Sequence, residues 1–351
     1  NLAEESPEEE DAVFFKRFRK FGVDKKGSDF VLISGQECEN IKPRRTEGRR
    51  SREYRRLMIK MLGKNYVPIA MHMLGGIQLG LFCRRSILDD LEHVSVADVT
   101  CGIGNVFHNK GAIGAFVQVK ARNASAGPSV ARAKSLKMLF VTAHLAAHVK
   151  NFEARDSDFW RIVTELEAQA PPHFLSHRSE DSGGTVLLST MDRIFFCGDL
   201  NYRLDLPREV AEHTVQEILR LENLGGKEEE IDELRSSLLC HDQLQSTIAE
   251  RRAFLSFAEG KIRFPPTFKF DKETEEYDTS HKQRIPAWTD RVLFKPLGTR
   301  VLEYESIRSA RHSDHRPVHA TFRINARGKV QPSRRGSLKQ QRKRKSKKSQ
   351  R

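Results

Sequence analysis

The sequence lacks several features that would place it in common classes of protein. No run of apolar residues approaches the roughly 18 that a transmembrane helix needs. The acidic start, NLAEESPEEEDA, has no apolar segment of the kind found in a signal peptide. The five cysteines are scattered and form no CxxC pair, which argues against a zinc site or a disulfide framework. These absences predict a protein of a reducing, intracellular compartment.

Positive charge, in contrast, is plentiful, and it is concentrated at one end. The chain has a net charge of +14, yet residues 328–351 alone hold eleven Lys and Arg and no acid, while residues 4–11 hold six acids. We expect both ends to be solvated, disordered tails. The basic tail has two further interpretations: contact with an anionic membrane surface and a nuclear localisation signal. The expected location is the cytoplasm, peripherally at the cytosolic face of membranes, with the nucleus as the alternative.

Between the tails, strand-like and helix-like segments alternate and predict one layered α/β domain over 28–324. Residues 1–27 are interpreted as an acidic, amphipathic extension and 325–351 as the disordered polybasic tail. Several predicted strands end in an acid, an amide or a histidine: Glu37, His144, Asp199 with Asn201, Asp290, and Asp314 with His315. Each of these, taken alone, is an ordinary surface acid or structural histidine.

Together the strand-end residues supply what hydrolysis of a phosphate ester needs. A carboxylate can hold Mg²⁺, which prefers oxygen ligands. A second carboxylate or a histidine can orient or deprotonate water. Amide and imidazole donors can stabilise charge on the phosphoryl oxygens. A P-loop is absent, since GIGNVFHNKGAIG does not fit GxxxxGK[ST].

Two longer motifs make the pattern specific. FFCGDLNYR (195–203) and RIPAWTDRVL (284–293) resemble the paired signatures of the inositol polyphosphate 5-phosphatases, members of the endonuclease/exonuclease/phosphatase superfamily. Further segments match in the family's order: SGQE, FHNKGAIG, TAHLAAH, HDQL, EGKIRFPPTFKFD and SDHRPV. The resemblance covers roughly residues 28–324.

The resemblance implies a four-layered sandwich of two mixed β-sheets flanked by helices, with the site at one rim. Family domains begin with a strand that carries a Trp-Asn pair, whose Asn supports the metal site. No such strand precedes residue 28, and the only Asn before residue 40 is Asn1, the first residue. We therefore expect a domain without its first strand and without this supporting Asn, which favours an incomplete sequence.

The resemblance also implies roles for individual residues. Glu37 is the expected protein ligand of Mg²⁺, and His144 is expected to face the scissile phosphate. Asp199 is expected to position or activate the attacking water, and Asn201 to bind phosphate or metal. Asp314 is expected to orient His315, which binds and polarises the phosphate. The expected substrate-binding residues are Lys269, Lys282 and Arg284, at a neighbouring 4-phosphate, and Asn109 and Lys110 at the pocket wall.

The function predicted in this way is Mg²⁺-dependent removal of the 5-phosphate by direct attack of water. The substrates are phosphoinositides such as PI(4,5)P2 and PI(3,4,5)P3, and soluble inositol polyphosphates as a further class. One alternative is a catalytically impaired phosphoinositide-binding protein, which the missing strand would favour. Another is a nuclease of the same superfamily, but most of the excess positive charge lies in one tail, so no nucleic-acid partner is expected. The sequence leaves the oligomeric state open.

Overall fold

A computed structural model describes residues 1–3, 27–39, 48–102, 110–120, 135–175 and 185–325. The strands are β1 (Phe30–Gly35), β2 (Tyr66–Leu74), β3 (Ile77–Arg84), β4 (Leu91–Thr100), β5 (Gly111–Val119), β6 (Leu136–His144), β7 (Arg193–Asp199), β8 (Ala258–Glu259), β9 (Asp290–Phe294), β10 (Thr299–Ser306) and β11 (Val318–Ile324). The α-helices are α1 (Arg49–Leu62), α2 (Phe152–Gln169), α3 (Val186–Thr190), α4 (Arg208–Leu224), α5 (Glu228–Leu239) and α6 (Gln243–Ala249).

Within these residues the strands form two main sheets and one hairpin. The larger sheet has the order β4-β5-β6-β7-β9-β8 and is mixed, because β6 and β7 are parallel while the other neighbours are antiparallel. The smaller sheet, β1-β3-β2, is antiparallel, and so is the hairpin of β10 and β11. The predicted α/β class is confirmed.

The two sheets pack face to face, and helices cover their outer faces. Side chains of β2 and β3 share one apolar core with those of β5, β6 and β7. Helix α2 places Phe159, Ile162, Val163 and Leu166 on one side, the spacing of an amphipathic helix, and packs them on the outer face of the larger sheet. Helix α1 covers the smaller sheet in the same way, through Met58, Met61 and Leu62. This gives the four layers expected from the motifs.

A further core lies beside the sandwich, under α4 and α5. Its centre is Trp288, which is fully buried and donates its indole N–H to the Phe264 carbonyl at 3.0 Å. The aromatic ring of the RIPAWTDRVL motif is therefore part of this core, and it fixes the chain just before Asp290. Among the described helices, none has the length and apolar character to cross a membrane.

Candidate active site

Three of the predicted strand-end residues form a row across the larger sheet. Strands β6 and β7 are parallel, so both end at the same edge, and His144 pairs with Asp199 in the ladder. Strand β9 is antiparallel to β7 and begins at this edge, so Asp199 pairs with Asp290. Glu37 follows β1 of the other sheet, and its Oε1 lies 3.8 Å from His144 Nε2. Strand register therefore brings these four side chains together at one rim.

Close packing between β6 and β7 depends on Gly198, the residue before Asp199. Its φ is +131°, and a Cβ atom at this position would lie 2.1 Å from the Ala143 carbonyl oxygen. Only glycine can adopt this conformation and permit this approach. The glycine of the GDLN motif therefore sets the separation of the strands that carry His144 and Asp199.

Asp199 is buried and is held by several donors. It accepts hydrogen bonds from Asn1 Nδ2 at 2.9 Å and from the Asn201 amide at 3.1 Å, and His144 Nε2 lies 3.4 Å away. Burial acts to raise the pKa of the Asp199 carboxyl, but the hydrogen bond with His144 and the positive charges of His315 and Lys110 hold the pKa well below its usual value. Asp199 is therefore an ionised carboxylate at neutral pH.

Asn1 supplies the amide that the sequence appeared to lack. Besides its contact with Asp199, its backbone nitrogen lies 3.3 Å from Asp290 Oδ1, and its carbonyl accepts a hydrogen bond from the Ser313 hydroxyl at 2.9 Å. The next residue, Leu2, donates its amide to the Gln36 carbonyl at 2.8 Å. The expectation that no Asn supports the site was wrong. A single residue shows no strand periodicity, so the pattern of apolar and polar residues did not identify Asn1.

His315 is oriented by Asp290 rather than by Asp314. His315 Nδ1 lies 2.8 Å from Asp290 Oδ2, which also accepts hydrogen bonds from the hydroxyls of Thr267 and Thr289. Asp314 Oδ1 is 4.0 Å from His315 Nε2, and its other oxygen lies 3.2 Å from Lys269 Nζ. The prediction that Asp314 orients His315 was therefore wrong, because Asp290 makes the short contact at Nδ1.

The buried Asp290–His315 pair is charged. Burial acts to lower the pKa of the His315 imidazole, but the charge of Asp290 and the hydrogen bond to it outweigh burial and raise this pKa above its usual value. Burial likewise opposes ionisation of Asp290, whereas His315 lowers the Asp290 pKa. The pair therefore presents a protonated imidazole at the rim, with Nε2 as its remaining donor.

Lys110 and His144 form a contact on the other side of Asp199, in which the ammonium group meets His144 Nε2. Burial lowers the pKa of Lys110 to about 8, although Asp199 and Glu37 oppose this. Burial and the Lys110 charge lower the pKa of His144. His144 is therefore neutral at pH 7. The predicted neighbour of Lys110, Asn109, lies outside the described residues.

Asn201 is part of the site but is held by the protein through both ends of its amide. Its Nδ2 donates to the Leu145 carbonyl at 3.1 Å, and its Oδ1 accepts from the Arg203 guanidinium. The backbone at Asn201 is left-handed, with φ +57°. The Arg203 guanidinium in turn lies 4.0 Å from the centre of the Phe268 ring, and this ring packs against that of His315 with centres 4.6 Å apart at a tilt of 45°. The aromatic residue at 268 thus connects the GDLNYR motif to His315.

Two of the predicted cations for the neighbouring phosphate, Lys282 and Arg284, lie on a loop held by Asp278, whereas the third, Lys269, pairs with Asp314. The Arg284 amide donates to Asp278 Oδ2 at 2.7 Å, while Lys282 is exposed. Burial lowers the pKa of His148, and the positive charges of Arg284, Arg203, Lys110 and Lys282 lower it further. These cations therefore act together on one region next to His144. Such a region attracts anionic ligands.

The donors present fit a magnesium ion bound mainly through one carboxylate. No group of three or more His, Cys, Asp or Glu that could hold a metal occurs within the part of the chain that the structure describes. Mg²⁺ does not need such a cage, because it keeps several waters and binds through one or two carboxylates and substrate phosphates. The Glu37 carboxylate meets this requirement, since its side chain is 42% exposed and faces His144.

Comparison with known proteins agrees with the motifs. The family model Endonuclease/Exonuclease/phosphatase family 2 matches residues 1–321. The chain is 29% identical over 308 residues to inositol-1,4,5-trisphosphate 5-phosphatase 1 of Schizosaccharomyces pombe, covering 85% of this chain and 24% of that protein. It is 30% identical over 263 residues to the type II inositol 1,4,5-trisphosphate 5-phosphatase of Mus musculus, covering 75% and 23%. The chain thus spans about a quarter of the length of these curated relatives.

Solved structures show the same fold. The inositol polyphosphate 5-phosphatase domain of SPsynaptojanin, in complex with inositol (1,4)-bisphosphate and calcium ion, superposes with a TM-score of 0.65 at 27% identity, covering 93% of this chain and 85% of that one. A Cimex nitrophorin superposes with a TM-score of 0.63 at 20% identity, which is a likeness of fold alone. From the family match and the motifs at the rim, we conclude that the chain belongs to the endonuclease/exonuclease/phosphatase family 2, and its resemblance to the inositol polyphosphate 5-phosphatases is confirmed.

Proposed function

We propose that this chain removes the 5-phosphate from phosphoinositides such as PI(4,5)P2 and PI(3,4,5)P3, and from soluble inositol polyphosphates, with Mg²⁺ as the cofactor. The observation that carries the proposal is the row of His144, Asp199 and the Asp290–His315 pair at one rim. Two relatives are inositol 1,4,5-trisphosphate 5-phosphatases, which supports the same reaction. Inositol (1,4)-bisphosphate, bound in the similar structure, is what remains when the 1,4,5-trisphosphate loses its 5-phosphate.

The reaction is a direct displacement at phosphorus. The oxygen of a water molecule bonds to phosphorus, the bond from phosphorus to the inositol oxygen breaks, and inorganic phosphate and a free ring hydroxyl result. The ionised Asp199 orients the water, and the proton that the water loses passes to Asp199 or to the neutral His144. The inositol oxygen takes up a proton as it leaves.

Charge on the phosphoryl oxygens is stabilised by fixed donors. His315, protonated and held by Asp290, presents its Nε2–H, and Lys110 supplies a second positive charge beside His144. Glu37 would hold Mg²⁺, which when bound neutralises phosphate charge. Lys269, Lys282 and Arg284 are proposed to bind the neighbouring 4-phosphate and so to select which phosphate enters the site.

The binding-only alternative was favoured by the missing first strand, which would carry an Asn that supports the metal site. Asn1 contacts both Asp199 and Asp290, which supports a competent site and weakens that alternative. The nuclease alternative rested on the excess positive charge, most of which lies in residues 328–351. These residues are outside the described part of the chain. We propose that they contact an anionic leaflet, where each Lys or Arg contributes about 1 kcal/mol of binding free energy, and that the protein acts at the cytosolic face of membranes.

The test is release of phosphate from short-chain PI(4,5)P2 and from inositol 1,4,5-trisphosphate, with Mg²⁺ and with EDTA. We expect release that requires Mg²⁺, with inositol 1,4-bisphosphate as the product of the soluble substrate. Asp199→Ala should abolish release, whereas Asp205→Ala, at an exposed position just beyond the motif, should not. Absence of release from folded wild-type protein would overturn the proposed function.

A further inference from the structure

The HDQL motif lies outside the row of reacting groups, yet it contacts the loop that follows His144 and the loop that contains Asn201. Its Asp242 caps helix α6 by accepting the Gln245 amide at 3.0 Å, and it forms a buried ion pair with Arg291 at 3.0 Å. Its Gln243 is 7% exposed and points its side chain toward the loop that follows His144. The residue after that, Leu244, is part of the apolar core. The motif therefore contains one buried amide that packing alone does not explain.

Both the oxygen and the nitrogen of the Gln243 side-chain amide form hydrogen bonds. Oε1 accepts hydrogen bonds from Arg155 Nη2 at 2.5 Å and from the Arg203 backbone amide at 3.1 Å. Nε2 donates to the Val149 carbonyl at 3.0 Å, and the Gln243 backbone amide donates to the Arg203 carbonyl at 2.9 Å. One side chain thus links the loop after His144 to the loop that contains Asn201.

Arg155 extends this link along the loop after His144, which comprises residues 145–149. Its guanidinium is fully buried and donates to the carbonyls of Ala146 at 3.1 Å and His148 at 2.7 Å. Asn201 binds the Leu145 carbonyl from the other side. Buried carbonyls need partners, and in this loop side chains from α2, α6 and the GDLNYR motif supply them.

We propose that Gln243 is a positioning residue for the reaction. It sets the path of loop 145–149 and of Arg203, and through them the positions of His144 and Asn201. It touches none of the reacting groups itself. This inference rests on the proposed function, because the readout of its effect is turnover.

The effect of losing Gln243 should appear in kcat. Gln243→Leu keeps the side-chain volume but removes the 2.5 Å acceptor of Arg155 Nη2, which then has only its longer contact with the Val149 carbonyl at 3.4 Å. The variant also removes one donor to Val149. A displacement of the order of 1 Å lowers turnover by roughly 10- to 100-fold, so we expect a fall of that size in kcat, with KM changed less than about twofold. Amide hydrogen exchange of residues 145–151 should become faster, because Leu145 and Ala146 donate from this loop to Asp199 and Asp158.

Two further variants sharpen the test. Gln245→Leu changes the same residue type on the same helix at an exposed position, and it should match the wild type in kcat and in exchange. Gln243→Glu keeps an acceptor for Arg155 and Arg203 and loses the donor to Val149, so its kcat should lie between those of wild type and Gln243→Leu. If Gln243→Leu does not fold, Gln243→Glu decides the question by the same measurements.

Three results would overturn the positioning role while the proposed function stands: unchanged kcat and exchange in the Gln243 variants, an effect confined to KM, or an equal effect in Gln245→Leu. A wild-type protein that releases no phosphate would overturn the proposed function and this inference with it.

Discussion

Asp290 Oδ2 lies 2.8 Å from Nδ1 of His315, and both side chains are buried at the rim where β9 begins. This contact joins the PAWTDR motif to the SDHRPV motif. A carboxylate of the RIPAWTDRVL signature therefore controls the charge of a histidine in the SDHRPV segment.

The Asp290–His315 pair predicts the alkaline limit of activity. The His315 pKa is raised, so the imidazole stays protonated below that pKa and loses its proton as pH rises through it. Asp290→Asn removes the charge that raises this pKa. We expect kcat/KM to fall about 100- to 1,000-fold, as for loss of one transition-state donor, and the alkaline limb of the pH profile to move to lower pH.

The control for that prediction is Asp314→Asn, since Asp314 pairs with Lys269 instead. It should change KM and leave the alkaline limb where it is in the wild type. A shift of the limb in Asp314→Asn, with none in Asp290→Asn, would assign the orienting role to Asp314 after all.

The same pair predicts how stability depends on pH. The contribution of His315, whose pKa is raised on folding, is complete below its unfolded value of about 6.5 and is lost as pH rises through the folded pKa. The contribution of Asp290, whose pKa is lowered, is complete above about 3.9 and is lost as pH falls through the folded pKa. Melting temperatures measured from pH 3 to pH 9 should therefore differ most between wild type and Asp290→Asn in roughly the pH range between these two unfolded values.

Gly198 predicts a large loss of stability on substitution. Gly198→Ala would place Cβ 2.1 Å from the Ala143 carbonyl oxygen at φ +131°, so β6 and β7 would have to separate. We expect the free energy of unfolding to fall by about 3 kcal/mol or more, measured by urea denaturation. Gly225→Ala is the matched control, because φ is +69° there and the space around Cβ is open. Its cost should be only about 1 kcal/mol.

The loop that carries Lys282 predicts a selective effect on substrate binding. Lys282→Ala should raise KM for PI(4,5)P2 by roughly tenfold, the size expected for one charged hydrogen bond, and should leave kcat unchanged. For a substrate that lacks the 4-phosphate, such as PI(5)P, KM should not change. An equal rise in KM for both substrates would show that Lys282 does not distinguish the 4-phosphate. The exposed Lys227 offers a control for a general loss of positive charge.

We expect the basic tail to contribute to membrane binding and not to the turnover of soluble substrate. Removing residues 328–351 should weaken binding to vesicles that contain phosphatidylserine and should reduce the salt dependence of that binding. Hydrolysis of soluble inositol 1,4,5-trisphosphate should stay at the wild-type rate. Vesicle binding that does not change on removal of the tail would contradict the proposed membrane contact.

Sequence reasoning located the site because most of its residues stand at strand ends within motifs. His144 and Asp199 follow long apolar strands, and polar groups at the ends of neighbouring parallel strands meet at one edge. Which acid contacts His315 could not be read in this way. Asp314 precedes His315 directly in the sequence, whereas Asp290 reaches it only because β9 begins at the same rim.

Contacts that depend on the folded path of a loop could not be predicted from the sequence for the same reason. Gln243 stands in a motif, but its partners, Arg155 and Val149, come from a distant part of the chain. Asn1 gave no pattern at all, although its amide contacts Asp199. Local periodicity indicates which face of a helix or strand is buried. It does not indicate which loops contact each other in the folded protein.

The residues that meet at this rim are contributed from Asn1 at one end of the sequence to His315 near the other. A polypeptide still on the ribosome that has emerged only as far as β7 already holds His144 and Asp199, but it has neither Asp290 nor His315. Proteolytic cleavage that releases the segment after α6 would remove the same two groups. Partial products that lack the segment after α6 should therefore release no phosphate, so turnover would report only on chains that extend from Asn1 through His315.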